Sequence, residues 1–302
     1  MPKQVRVKVP ASTANLGPGF DVLGLALGIH NTLSLWVGEE QCQLTVTGEG
    51  VGRVPTDASN LIFQAAFRVY DKLGEPRPVL HGRAENGIPL SSGMGSSAAA
   101  TVSGLVAANA LLGAPLSRQS LLGLACELEG HADNAAAALF GGLTLVAESS
   151  DGLHCLQKDV APMQVAIALP ATKLSTRDAR NALPTQVPHS DAVFNVGKAL
   201  FVVSALQTAD YEMLAWAMQD RLHEPYRLPL MPGTQAAKHA ALAAGAKAVA
   251  VSGAGPSLAA FAPSGHSAIA NAMHAAFGTA GIESRTFVLP VDRQGVQISM
   301  SL

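Results

Sequence analysis

Polar and apolar positions alternate over residues 4–9 (Gln-Val-Arg-Val-Lys-Val), which predicts a half-buried strand. The same alternation of charge and valine runs through residues 1–10 and is strand patterning, not a secretory signal. Further strands are predicted at 31–37, 42–47 and 142–148. Over residues 60–73 the period changes: Leu61, Ala65, Val69 and Leu73 recur every four positions, with Ser59 able to cap the helix and Gly74 to end it. Helices are also predicted at 98–112 and 118–130, the first behind a Gly/Ser loop at 87–97. A second unit begins near Asp151. It reads as a strand at 165–169 and an amphipathic helix at 191–208 with Val193, Val196, Leu200 and Val203 on one face. Helices follow at 211–222, 233–244 and 266–281, and strands at 248–252, 258–261, 285–290 and 295–300. Strands and helices are interspersed, with helices grouped after strands, which predicts layered α+β architecture. Two units, 1–150 and 151–302, account for the length.

Composition narrows the function. Charged residues make up 14% of the 302, against about 25% in an average soluble protein, so the surface is lightly charged or covered in part by another subunit. A formal net charge of −2 supplies no field for nucleic acid or anionic lipid, so an anionic ligand must be caught locally. Cys42, Cys126 and Cys155 are far apart and odd in number, which argues against a disulfide framework or zinc site and fits a reducing cytoplasm. Nine scattered histidines give no transition-metal cluster. Residues 86–117 and 248–282 lack Asp, Glu, Lys and Arg. Gly, Pro, Ser and Asn interrupt both, so they read as buried strand–loop–helix units, not membrane spans.

The run Ile88-Pro-Leu-Ser-Ser-Gly-Met-Gly-Ser-Ser-Ala-Ala-Ala100 carries the clearest chemistry. Gly93 and Gly95 permit close backbone approach, and the small residues after them open a helix whose N-terminal amides favour phosphate. The run lacks the Gly-Lys-Ser/Thr ending of a Walker A loop. With no lysine to neutralise phosphate, a metal ion has to carry that charge. A second glycine loop, Gly253-Ala-Gly-Pro-Ser257, follows a strand but has Leu258 where a dinucleotide fingerprint needs its third glycine.

Three stretches in order, Val9-Pro-Ala-Ser-Thr-Ala-Asn-Leu-Gly-Pro-Gly-Phe-Asp21, the phosphate loop, and Val251-Ser-Gly-Ala-Gly-Pro-Ser257, resemble the three motifs of the GHMP small-molecule kinases. The stretch 11–27, His131-Ala-Asp-Asn134 before Phe140-Gly-Gly142, Ser175-Thr-Arg-Asp-Ala-Arg180 and Glu224-Pro-Tyr-Arg227 resemble the homoserine-phosphorylating branch. The resemblance implies an N-terminal domain like ribosomal protein S5 domain 2 and a ferredoxin-like C-terminal domain. The active site would lie between them, in a chain that is often dimeric. It implies ATP and Mg²⁺ as cofactors and L-homoserine as acceptor; the alternatives are another GHMP small-molecule kinase, for mevalonate, an isoprenoid intermediate or a sugar, or a non-catalytic nucleotide-binding relative. Asn15 would contact the reacting hydroxyl and Asp21 the ammonium, Arg180 and Arg227 would grip the carboxylate, and His131, Asp133 and Gly253 would line the pocket. Thr176 would lie near the transferring phosphoryl. Asn60 would meet the adenine, and Pro89, Leu90, Ser91, Ser92, Gly93, Met94, Gly95, Ser96 and Ser97 the phosphates. Mg²⁺ would sit on Ser97 (or Ser96) and on Glu127 or Glu129, which are two apart on a helix so that only one can face the site. The run Glu129-Gly-His-Ala-Asp-Asn134 favours Glu129. Asn134 stands where some relatives carry an aspartate base, so catalysis would rest on alignment and charge stabilisation.

Overall fold

The computed structural model describes residues 4–301; the first three positions of the alternating N-terminal segment lie outside the described residues. The chain runs β1 (Gln4–Ala14), β2 (Leu23–Val37), β3 (Gln43–Gly48), α1 (Leu61–Leu73), β4 (Leu80–Asn86), α2 (Ser96–Leu111), α3 (Arg118–Glu129), α4 (Asp133–Phe140), β5 (Leu143–Ser149) and β6 (Gly152–Lys158). It continues through β7 (Gln164–Pro170), α5 (Thr176–Asn181), α6 (His189–Thr208), α7 (Tyr211–Ala217), α8 (Glu224–Arg227) and α9 (Thr234–Ala243). The last elements are β8 (Ala248–Val251), β9 (Leu258–Phe261), α10 (His266–Thr279), β10 (Ser284–Pro290) and β11 (Gln297–Ser301).

Among the described residues the strands form two sheets. The larger has the order β11-β1-β2-β4-β3, with the β5–β6 hairpin joined through β5 to the start of β2. β2 is long enough to serve two partners, pairing β5 at Leu23–Leu25 and β4 from Asn31 onward. Its first half was not expected as strand: Gly24 and Gly28 interrupt the pattern, and Leu23, Leu25, Ala26 and Leu27 are buried without alternation. The smaller sheet, β10-β7-β9-β8, is antiparallel throughout, and α9 and α10 supply its hydrophobic layer through Ala237, Ala241, Ile269, Met273 and Phe277. The expected two-layer α+β arrangement is present. The boundary expected at 150/151 falls in the turn between β5 and β6, which pair along their whole length, and β11 returns from the C-terminus to pair β1. By strand pairing, then, the first unit takes in both β6 and β11.

Local details follow from side-chain chemistry. Asn60, not Ser59, caps α1, its Oδ1 accepting from Ile62 N at 2.9 Å, and Gly74 ends the helix in the left-handed region. α2 is apolar on nearly every face because it is buried on nearly every face, from Ala98 to Ala110. On α6 the buried residues are Asn195, Val202, Ala205 and Leu206. Most of the stripe read from the sequence points outward instead, with Val193, Val196 and Leu200 59, 66 and 68% exposed, while Val203 is partly buried against the core. No helix among the described residues is long and apolar enough to cross a membrane.

Candidate active site

The three glycine-containing stretches converge where β1, the N-terminus of α2 and the β8–β9 connection meet. Backbone and side-chain hydrogen bonds both join them. Ser12 N donates to Met94 O at 3.1 Å, and Gly253 N donates to Ala14 O at 3.1 Å. Ser252, fully buried, sits between all three: its Oγ lies 2.7 Å from Gly93 O and 2.9 Å from Thr13 Oγ1. Ser252 Oγ is the donor toward both, so its one proton is shared between them, with the Gly93 carbonyl the nearer acceptor. A side chain on Gly93 would strike Ser252 O, and one on Gly95 would strike Ser12 Oγ. Both residues also have φ near +70° (75° and 70°), so glycine is required twice over. Ser92 braces the loop from inside, donating to Pro89 O at 2.8 Å and accepting from Met94 N at 3.2 Å. Gly95 gives α2 no side-chain cap, which leaves the first amides of a sixteen-residue helix aimed into the space in front.

That space is a cavity of about 290 Å³. It brings together Asn15, Asp21, Ser91, Ser92, Gly93, Gly95, Ser96, Ser97, Glu129, His131, Asp133, Asn134, Thr176, Arg180, Arg227 and Gly253. A second cavity of about 580 Å³ adjoins it through Ser91, Leu174 and Ser175, and there Pro89 and Leu90 lie with Arg53, Lys173 and Arg285. Two expected nucleotide contacts line neither cavity. Met94 is fully buried in the core. Asn60 lines neither cavity: its Oδ1 caps α1 and its Nδ2 donates to Pro55 O at 2.6 Å, so the segment that would meet adenine uses it to turn the chain.

The charges are arranged with one clear asymmetry. Asp21 and Arg180, expected at opposite ends of a ligand, bond each other in a two-pronged pair at 2.7 and 2.9 Å. Both are partly exposed, and a fork of this kind matches guanidinium to carboxylate. Asn15 and Asp21 hold positive φ (70° and 56°), and Asn15 fixes the loop by accepting from Asp21 N and donating to Gly253 O at 2.7 Å. Arg227 is only 1% exposed and has no carboxylate partner among the described residues. Its Nε donates to Ala179 O at 3.2 Å, and its Nη1 reaches His223 Nδ1 at 3.2 Å and Gly253 O at 3.3 Å. Among the described residues Nη2 has no hydrogen-bond acceptor. Phe20 lies under the guanidinium, 5.0 Å from its centre.

The acids are sorted just as clearly. Glu129 Oε1 accepts from Ser97 Oγ at 2.9 Å and Thr101 Oγ1 at 2.5 Å, whereas Glu127 is exposed and pairs Arg68 at 2.6 Å. Asp133, buried, accepts from His131 Nδ1 at 2.8 Å and from Asn134 N at 2.7 Å. Burial disfavours the charged imidazole, but the Asp133 hydrogen bond and charge outweigh it and leave the His131 pKa above its usual 6.5. Asn134 Oδ1 accepts from Ser12 Oγ at 2.9 Å, which ties α4 to β1. Ser12, Thr101, Ser252 and His223 were not foreseen. For Thr101 a signal existed, since it follows Ser97 by four positions on one helix face.

Residues 60–142 match the family profile described as the GHMP kinases N terminal domain, and residues 202–279 match GHMP kinases C terminal. The chain belongs to the GHMP kinases. Within them it stands with the homoserine kinases. It is 43% identical over 297 residues to homoserine kinase of Trichormus variabilis, covering 96% of this chain and 97% of that protein. It is 40% identical over 295 residues to homoserine kinase of Carboxydothermus hydrogenoformans, covering 97% of each. The crystal structure of homoserine kinase from Cytophaga hutchinsonii superimposes with a TM-score of 0.87 at 35% identity, covering 98% of this chain and 97% of that one.

Proposed function

We propose that this chain transfers the γ-phosphoryl group of ATP to the side-chain hydroxyl of L-homoserine, giving O-phospho-L-homoserine for threonine biosynthesis. The observation that carries the acceptor assignment is Arg227. A buried cation without a carboxylate in contact favours an anion that completes it, and Arg227 lines the cavity. The substrate carboxylate takes that edge. Its ammonium goes to Asp21, which is partly exposed and still offers lone pairs beyond those that meet Arg180. Such an arrangement alternates cation and anion across the pocket, so Arg180 acts through Asp21 as well as on the carboxylate. The acceptor hydroxyl then points toward Asn15 and Thr176, beside the phosphate loop.

The triphosphate lies on the amides of residues 91–97, and the nucleoside extends past Ser91 into the adjoining cavity over Pro89 and Leu90. Ser97 and Glu129 form an all-oxygen donor set with one carboxylate, which suits Mg²⁺ completed by phosphate oxygens; no group of three His, Cys, Asp or Glu among the described residues could hold a metal unaided. Bound there, Mg²⁺ would offset the negative charge that the lysine-free loop leaves uncompensated. With asparagine at position 134 and Asp133 already accepting from His131, the residues around the hydroxyl orient it and stabilise charge in place of a dedicated strong base. All three cysteines are free, in keeping with a reducing cytoplasm. The outward stripe of α6, flanked by Phe201 and Trp216, suits a second copy of this chain.

Three outcomes follow. Glu129→Gln lowers kcat by about a hundred- to a thousandfold, while Glu127→Gln leaves it near wild type; the reverse order in a steady-state ADP-release assay would put the metal on the wrong acid. Arg227→Ala and Asp21→Ala each reduce kcat/KM for homoserine by about thirty- to several-thousandfold, since breaking a desolvated charge pair costs about 2–5 kcal/mol. ATP affinity stays unchanged in both, and wild-type protein that phosphorylates mevalonate or a neutral sugar as well as homoserine would defeat the acceptor assignment. Sedimentation gives a dimer that Leu200→Glu dissociates; a wild-type monomer at all concentrations contradicts that pairing.

A further inference from the structure

Arg227 is held by three acceptors, of which two are main-chain carbonyls, Ala179 O at the end of α5 and Gly253 O in the third glycine loop. The one side chain among them is His223, fully buried at the residue before α8. Both ring nitrogens of His223 have fixed roles. Nε2 is 2.9 Å from Gly17 O, an acceptor, so Nε2 carries the hydrogen. Nδ1 is 3.2 Å from Arg227 Nη1, a donor, so Nδ1 presents its lone pair. Phe20 stacks on the ring at 5.2 Å with 23° between planes, and the same Phe20 ring lies under Arg227. The imidazole is thereby fixed in place and in tautomer. It connects Gly17, in the loop that carries Asn15 and Asp21, to the cation that faces them across the cavity.

We propose that His223 is a positioning residue for the acceptor: its Nδ1 lone pair aims the Arg227 guanidinium so that Nη2 stays free to bind the substrate carboxylate. The inference rests on Arg227 receiving that carboxylate. A neutral ring is needed, because an imidazolium would turn a hydrogen toward Arg227. Several charges face the ring. The Asp220 carboxylate lies 3.7 Å from Nε2, and Glu224 and Arg227 flank it on α8. Asp220 is already engaged by the main-chain amides of Leu222, His223 and Glu224 and by Asn195. Burial, the largest influence, keeps the His223 pKa below its usual value despite the two acids.

The two amide side chains separate the two nitrogens. His223→Gln can place a donor near the position of Nε2, toward Gly17 O, but leaves no acceptor where Nδ1 was. His223→Asn places its Oδ1 where Nδ1 was and gives up the Gly17 contact. Homoserine affinity by calorimetry, KM and kcat by ADP release, ADP affinity and thermal melting are measured for both. The Gln variant raises homoserine KM about ten- to a hundredfold, the effect of losing one hydrogen bond to a charged group, with kcat and ADP affinity little changed. The Asn variant stays within about threefold of wild type. Equal loss in both variants, loss in Asn alone, or a fall in kcat without a rise in KM overturns the proposal. In the wild-type protein, ring nitrogen-15 resonances give a neutral His223 with Nε2 protonated, and the Nδ1 signal moves when homoserine is added. A protonated Nδ1 at neutral pH overturns the proposal even if the Gln variant fails to fold. Wild-type protein that binds no homoserine overturns the acceptor assignment and this inference with it; wild-type protein that binds it, beside an unaffected Gln variant, overturns this inference alone.

Discussion

A guanidinium held away from water with no carboxylate in contact among the described residues is the constraint around which this molecule is arranged. Burying an unpaired charge is costly, and proteins rarely leave one so unless a ligand completes it. Here the burden on Arg227 is spread over a carbonyl from α5, a carbonyl from the β8–β9 loop, the ring of His223 and the face of Phe20. Each of these comes from a different part of the chain. The cation therefore sets where the loop with Asn15 and Asp21, the third glycine loop and the helical segment of the second unit must lie relative to one another. The hydrogen bonds that orient Arg227 are also part of what joins the two sheets around the cavity.

Beside this cation lies a surface built from main chain, and Gly253 O belongs to both. Gly93, Gly95 and Gly253 are where three loops come within hydrogen-bonding reach, and Ser252 satisfies the polar groups that such an approach would otherwise strand. The consequence is a lysine-free loop with amides at a helix start, beside which Ser97 donates to Glu129. One wall of the cavity thus suits polyphosphate and the other an amino-acid zwitterion. Transfer between them asks chiefly for alignment, which rigid loops supply.

Much of this was legible in the sequence, and the exceptions have physical causes. Strict alternation at 4–9 and the fourfold recurrence at 60–73 each gave the right element because one face is buried and one is not. The first half of β2, and α4 with its run of alanines, are buried on both sides, so no period marks them. β6 is half exposed and short, and only its pairing with β5 makes it a strand of the first sheet. The stripe on α6 was visible, but periodicity records that a face is apolar, not that it faces inward. Of the site, residue types at the glycine motifs marked phosphate chemistry, and the ordered motifs marked the family. Pairings across long stretches of chain were out of reach. Asp21 and Arg180 are 159 positions apart, and nothing in either segment says that they bond each other first and a ligand second. Asn60 illustrates the converse: its place before a helix had a local explanation, and that local role is the one it fills.

In the proposed function the Nη2 edge of Arg227 is the carboxylate seat of the acceptor. A crystal structure of the protein with L-homoserine and a non-hydrolysable ATP analogue tests it most directly. The expected complex has the homoserine carboxylate within hydrogen-bonding distance of Arg227 Nη2, the ammonium against Asp21, and the hydroxyl turned toward the γ-phosphate on the 91–97 loop. A complex in which the carboxylate lies elsewhere and Arg227 Nη2 remains without an anion would contradict it.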